Sequence, residues 1–282
     1  MEEQQQPRRK RKRSFKNIIK FFQIVTGLIL VFIISFFVTL AIRASDNTAE
    51  IEENFSNKSK AAAQNYTETS LGEKFDRLNN IESAVAAKRR KINRYVLLID
   101  IPKPLRQAVI AVEDKRFYDH SGFDIESIAR ATMVNVEAGE IEEGGSTITQ
   151  QLAKNLFLSQ ERSFTRKVEE LFLAINMERH FDKNKILEMY LNTIYFGSNF
   201  YGVYDAAKGY FGKEPKDLSV AECAMLAGIP NAPSVYSPYV NFQLAKKRQL
   251  VVIDAMVRAH FLTKSEAEKA RIEEIILVEG FY

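Results

Sequence analysis

The sequence predicts a mainly α protein: one membrane-crossing helix, then a domain built almost wholly of helices. Three observations carry this. An uncharged apolar run fills residues 21–42, and beyond about residue 100 apolar residues recur at steps of three and four in segment after segment. Only one short stretch, Tyr95-Val96-Leu97-Leu98-Ile99, has the continuous, partly β-branched character of a strand. Hydrophobic content of 46% with 27% charged residues suits an ordinary folded chain, here one domain of roughly 190 residues.

Residues 1–17 form a basic tail. Arg8, Arg9, Lys10, Arg11, Lys12 and Arg13 are consecutive cations, joined by Lys16 and Lys20. The whole chain carries a formal charge of +4, so without these eight the remainder is slightly acidic, and the pI near 8.9 reports the tail rather than a basic binding face. Nucleic acid is therefore not an expected partner. A transmembrane helix is expected over residues 18–42. Between Phe21 and Ile42 no residue is charged, and as a helix this run would reach about 33 Å at roughly 1.5 Å per residue, enough for a hydrocarbon core. A cleaved signal peptide has a shorter apolar region of about 7–15 residues, so the run reads as a retained anchor. With the cations before it and only Arg43 close behind, the positive-inside rule puts the amino terminus in the cytoplasm and the rest beyond the cell membrane.

Residues 43–94 are polar and mixed in charge. They read as a stalk with one amphipathic helix, in which Leu71, Phe75, Leu78, Ile81 and Val85 share a side. Pro102 and Pro104 close the strand-like stretch before a helix that carries Ala108-Val109-Ile110-Ala111-Val112-Glu113. Further helices are predicted over 123–137, with Ile125, Ile128, Ala129, Thr132, Met133 and Val136 together, and over 166–180, with Val168, Leu171, Phe172 and Ile175 as the apolar stripe. Residues 183–196, 203–210, 219–226 and 242–259 continue the pattern, and Thr263-Lys264-Ser265-Glu266 has the capping-box spacing that opens a last helix. The single cysteine, Cys223, lies in an apolar helical run and reads as a buried small hydrophobe; with only three His besides, a zinc site has almost no ligands.

Glu113 and Asp114 fall where an apolar segment ends. Partial desolvation there lifts a carboxyl pKa toward the working pH, as a general base needs, though the position also suits an ordinary solvated helix end. Gly144-Gly145-Ser146-Thr147-Ile148-Thr149-Gln150-Gln151 permits either a capped helix start after a tight turn or a polar loop that meets sugar hydroxyls. Lys154, Arg162, Arg166 and Lys167 place four cations within fourteen positions. Glu170 lies well away from the Val168-Leu171-Phe172-Ile175 stripe, so it is expected to face solvent or a cleft rather than the helix's core side. Beside a cleft, such cations are what a pyrophosphate leaving group requires.

Four patterns occur in order: Glu113-Asp114-x-x-Phe117-x-x-His120-x-Gly122, Gly145-Ser146-Thr147-x-x-Gln150-Gln151, Arg166-Lys167-x-x-Glu170, and Lys183-x-x-Ile186-Leu187-Glu188-x-Tyr190-Leu191-Asn192. Together they resemble the peptidoglycan glycosyltransferase family 51, found as monofunctional transglycosylases and as the glycosyltransferase domain of class A penicillin-binding proteins. Asn231-Ala232-Pro233-Ser234-Val235-Tyr236 and a looser fifth element, Arg248-x-x-x-Val252-Ile253-x-x-Met256, also fit; Ile253 and Lys247 are minor departures. The resemblance covers about residues 95–260. It implies a glycosyltransferase domain over 95–282: a lysozyme-like helical lobe with a small membrane-proximal jaw at about 123–143.

The resemblance also implies an activity, polymerisation of lipid II into β-1,4-linked glycan strands with inversion and release of undecaprenyl pyrophosphate. Glu113 matches the family's general base and Glu170 its second carboxylate. Lys154 and Arg162 match phosphate-contacting cations, with Arg166 and Lys167 in the same electropositive strip. Ser146, Thr147, Gln150 and Gln151 match the substrate-binding loop, and Asp114, Phe117, His120 and Gly122 the turn that aims Glu113. A divalent ion, Mg2+ or Mn2+, near Glu113 or Glu170 is the cofactor this leaves open. Expected partners are lipid II and the growing lipid-linked glycan, the membrane, and proteins of cell-wall synthesis or division. No Ser-x-x-Lys, Lys-Thr-Gly or Lys-Ser-Gly occurs, so no penicillin-binding transpeptidase site is expected, as in the monofunctional branch or a truncated larger protein. Two other readings are a membrane-bound peptidoglycan hydrolase, which would also use carboxylates, and a catalytically silent cell-wall scaffold.

Overall fold

The structure, a computed structural model, describes residues 79–138, 144–158 and 164–279. The expected basic tail, the transmembrane helix over 18–42 and most of the stalk lie outside these residues, and among those described no helix is long and apolar enough to cross a membrane. The described residues are mainly α. In chain order the helices are α1 (Ile81–Arg89), α2 (Lys103–Glu113), α3 (Ile125–Ala138), α4 (Ile148–Phe157), α5 (Phe164–His180), α6 (Lys183–Thr193), α7 (Gly202–Phe211), α8 (Val220–Gly228), the short α9 (Pro233–Tyr236), α10 (Phe242–Arg258) and α11 (Lys264–Ile272).

The centre is α8. Every residue from Ala221 to Gly228 is buried, including Cys223, whose thiol burial pushes far above its ordinary range. A helix apolar on all sides can only sit inside the core, and its small residues let α2 and α10 pack closely on it. Its start is a capping box, in which Ser219 accepts from the Glu222 backbone N–H and Glu222 accepts from the Ser219 N–H. A second layer is formed by α4, which packs on α5 and α6. The helix predicted within the stalk is seen as α1; it buries Ile81 and Val85 and packs against α5.

Two expectations are corrected. Residues 95–99 do not form a strand. Among the described residues there is no strand, only an isolated bridge between Tyr195 and Tyr201, and the stretch runs into a 3-10 turn at Leu98–Asp100. Side chains of α6 take the backbone groups that a sheet partner would have met. Val96 N–H donates to Asn192 Oδ1 (2.7 Å), Asn192 Nδ2 donates to Val96 O (2.9 Å), and Leu98 N–H donates to Glu188 Oε2 (2.9 Å).

The second correction concerns α5. Its buried face is Glu170, Leu173, Ala174 and Met177, which also has helical spacing, whereas Phe172 of the predicted stripe is 46% exposed. The reason lies in the turn after α2. Gly122, at φ 97°, comes so near that a Cβ there would stand 3.0 Å from the backbone of Ala174 and Ile175. A face built around Ala174 can sit under that turn, and the bulkier Leu171-Phe172 face cannot.

Glu188 is a buried carboxylate of this frame with three partners. Burial raises its pKa, but bonds from Lys185, Leu98 N–H and Tyr95 OH outweigh that and hold it below the usual range. A carboxyl with a lowered folded-state pKa contributes stability that is present above its unfolded pKa and lost as pH falls through the folded one. Glu188→Ala, which removes the acceptor of three donors, should cost about 1–3 kcal/mol near neutral pH, and urea melts should show the deficit shrinking in acid.

Candidate active site

The site begins where α2 stops. Asp114, the residue after the helix, leaves helical geometry (φ −157°, ψ 78°), and its buried carboxylate crosses to the start of α4. There Oδ2 accepts from Ile148 N–H at 3.0 Å, a buried helix-start donor with no partner inside the helix, at the positive end of the α4 dipole. His120 Nε2 lies 3.0 Å and 3.1 Å from the two carboxylate oxygens, and its Nδ1 accepts from Gly122 N–H at 3.2 Å. An accepting Nδ1 leaves the proton on Nε2, which therefore donates to Asp114. Thr147 adds two ties: its hydroxyl donates to Gly122 O (2.8 Å), and it forms a capping box with Gln150. Phe117 is fully buried beneath the same turn, with Lys183 Nζ 4.5 Å from its ring centre.

This frame aims Glu113 into a cavity of about 380 Å³. One wall is the end of α2. The others are Ser127 and Arg130 of α3, the loop Gly144–Thr147, Gln151 and Lys154 of α4, Pro230 and Asn231, and Arg248, Val251, Ala255 and Arg258 of α10. Gly228 makes room for this arrangement, because a Cβ there would stand 2.8 Å from Arg248 Cγ. Two carboxylates thus share the cavity with five cations: Lys115, Arg130, Lys154, Arg248 and Arg258. Such an excess suits an anionic ligand of more than one charge.

Glu113 Oε2 accepts from Gln151 Nε2 at 2.8 Å, while Oε1 is buried and makes no hydrogen bond. Burial pushes the Glu113 carboxyl above the ordinary range, with Asp114 adding to it; the Gln151 amide, Arg248 and Lys154 pull the other way without cancelling it. Lys154 is itself lowered by burial and by Arg166 and Lys167, while Glu170 and Glu113 both raise it, so it lies within electrostatic reach of the two carboxylates.

Residues 79–257 match the family described as Transglycosylase. The chain belongs to that family. The transglycosylase match takes in each of the elements just described, from α1 almost to the end of α10. Among curated relatives, penicillin-binding protein 1A of Neisseria flavescens is 52% identical over 176 residues, 62% of this chain and 22% of that protein. Penicillin-binding protein 1F of Bacillus subtilis is 49% identical over the same length, 25% of that protein. The chain thus spans a quarter or less of the length of these relatives. A crystal structure of penicillin-binding protein 1A from Haemophilus influenzae aligns with a TM-score of 0.39 at 24% identity over 66% of this chain and 18% of that one, too low a score to establish a shared fold.

Within the transglycosylase domain the structure distributes the sequence-predicted residues unevenly. Glu113, Asp114, Ser146, Thr147, Gln151 and Lys154 line the cavity. Gln150, Phe117 and His120 lie behind it and hold the turn and the helix start. Glu170 is buried on α5, ion-paired with Arg166 (3.5 Å) and Lys167, and Lys167 also donates to Ser146 Oγ at 2.9 Å. Arg162 lies outside the described residues. A hard divalent ion takes about six or more oxygen ligands. Both Glu170 oxygens face cations, and no three His, Cys, Asp or Glu come together among the described residues.

Lys115, Arg130, Arg248 and Arg258 of the cavity, and Tyr190 behind it, escaped the sequence reading. Arg248 stood in the fifth motif without a role, and Tyr190 stood in the fourth; Tyr190 OH donates to Gln151 Oε1 at 3.1 Å. A shared apolar-to-polar junction marks Glu113, but nothing local marks a partner 39 positions away.

A carboxyl whose folded-state pKa is raised stabilises the fold only below its unfolded pKa, and that contribution is lost as pH rises through the folded one. Glu113→Gln removes the penalty. Its melting temperature relative to the parent should therefore move in the variant's favour as pH rises above the ordinary carboxyl range in calorimetric scans.

Proposed function

We propose that this domain is a peptidoglycan glycosyltransferase that polymerises lipid II into β-1,4-linked strands. Membership of the transglycosylase family and the close likeness to penicillin-binding proteins support it. The observation that carries the chemistry is a buried carboxylate with a free oxygen, Glu113, in a cavity where cations outnumber carboxylates.

Glu113 Oε1 takes the proton from the 4-hydroxyl of the acceptor sugar. The hydroxyl oxygen bonds to the anomeric carbon of the lipid-linked donor as the bond to pyrophosphate breaks, and displacement from the opposite face inverts that carbon. The leaving group departs as undecaprenyl pyrophosphate, its charge met by Lys154 at the cavity and by Arg166 and Lys167 beside it. Glu170 holds the last two in place. A base with a raised pKa transfers protons well near neutral pH, while cations fixed in a low-dielectric cleft stabilise the departing charge without reorganising.

The exposed apolar residues of α3, Ile125 (69%), Ile128 (44%) and Met133 (66%), support a membrane-proximal jaw there, and the apolar run at residues 21–42 supports an anchor on the same membrane. The absence of Ser-x-x-Lys, Lys-Thr-Gly and Lys-Ser-Gly from the sequence supports an activity without transpeptidation. Hydrolysis is the weaker reading. It commonly needs two working carboxylates beside the scissile bond, and the second cavity carboxylate, Asp114, is committed to Ile148 N–H and His120.

With purified lipid II, Glu113→Gln should fold yet lose about 10²–10⁴-fold in polymer formation; parent-like yields would remove Glu113 as the base. Lys154→Ala should lower the rate of donor consumption about 10–100-fold without a matching fall in melting temperature, whereas loss of folding would make Lys154 a structural residue.

A further inference from the structure

Among the described residues the amide of Gln151 is the only hydrogen-bond donor on the carboxylate of Glu113, and what orients that amide is not in the cavity. Gln151 Oε1 accepts from Tyr190 OH (3.1 Å), and Gln151 Nε2 donates to Glu113 Oε2 (2.8 Å). Tyr190 is fully buried in α6, and this is its hydroxyl's hydrogen bond. An ionised carboxylate can only accept, so the amide must turn its NH2 toward Glu113 and its oxygen toward Tyr190. The phenol satisfies that oxygen. Without it, a buried carbonyl oxygen would be left unpaired and the amide would have no reason to keep its face to the base.

We infer that Tyr190 is a positioning residue for the proposed base: through Gln151 it fixes which carboxylate oxygen of Glu113 is bonded and which, Oε1, stays free to accept the proton. This rests on Glu113 being the base. Burial, with Glu113 and Asp114 adding to it, keeps the phenol protonated far beyond neutral pH, so it donates throughout the working range. The other charged groups around Glu113 come from different elements: Asp114 and Lys115 beside it, Arg130 on α3, Lys154 on α4, Arg248 and Arg258 on α10. None of them touches the amide by a hydrogen bond, so removing the phenol oxygen changes one contact while leaving that field in place.

The test is Tyr190→Phe, which keeps the ring in the core. In the parent protein the acid limb of kcat/KM for lipid II polymerisation should report Glu113, and in Tyr190→Phe it should move up by about half to one pH unit, with KM little changed. Carbon-13 NMR of the Glu113 carboxyl, assigned by its loss in Glu113→Gln, should show the same upward shift independently of turnover. In a cycle with Gln151→Leu, the phenylalanine change should add almost nothing once the amide is gone. An unshifted carboxyl titration, or full additivity in the cycle, overturns the inference and leaves Tyr190 a core residue. A parent protein that titrates as described but polymerises nothing would instead overturn the proposed function.

Discussion

The carboxylate of Asp114 is the contact on which the arrangement of the site depends. A side chain leaving the negative end of α2 would be poorly placed there, but at the first N–H of α4 it meets the positive end of another helix dipole. One residue thus converts two helix ends into a joint. His120 and Thr147 then tie the intervening turn to the same point, so that the direction of Glu113, one residue earlier, follows from backbone geometry rather than from its own contacts. A side chain that makes a single hydrogen bond can be well aimed only if its neighbour makes several.

A division of labour follows between the paired acidic residues. Asp114 has every oxygen engaged and belongs to the frame, whereas Glu113 keeps one oxygen unbonded in a buried place. Carrying an unsatisfied buried oxygen is costly, and natural folds retain such atoms where something else depends on them. The surplus of cations around the cavity has the same character. Arg166 and Lys167 act on Lys154 as like charges in the protein by itself, and a multiply charged anion such as the proposed donor would relieve that repulsion.

Much of this was legible in the sequence because helices announce themselves locally. The Thr263-Glu266 box, the apolar run around Cys223 and the prolines at the start of α2 each act within a few residues, and each appears where the spacing puts it. The failures were those in which a distant partner decides. Val168, Leu171, Phe172 and Ile175 form as good a stripe as Glu170, Leu173, Ala174 and Met177; the close approach of Gly122 favours the second, and Glu170 is carried inside, paired with Arg166 and Lys167. Residues 95–99 looked like a strand because their backbone is indeed extended at Leu97, but the partner turned out to be a pair of side chains on α6. The ordered motifs named the site; the frame holding it could be read only once α2, α4 and α6 were brought together.

The placement of Cys223 has a practical consequence. It is the one thiol in the sequence, it sits in the helix around which α2 and α10 pack, and burial keeps it protonated and closed to reagents. Alkylation requires the thiolate in contact with solvent, so the molecule reacts only in those moments when its centre opens. The chain therefore carries a built-in clock for core opening: its labelling rate, followed by mass, counts excursions of α8 without any introduced probe, and a bound donor that braces α2 and α10 would slow it.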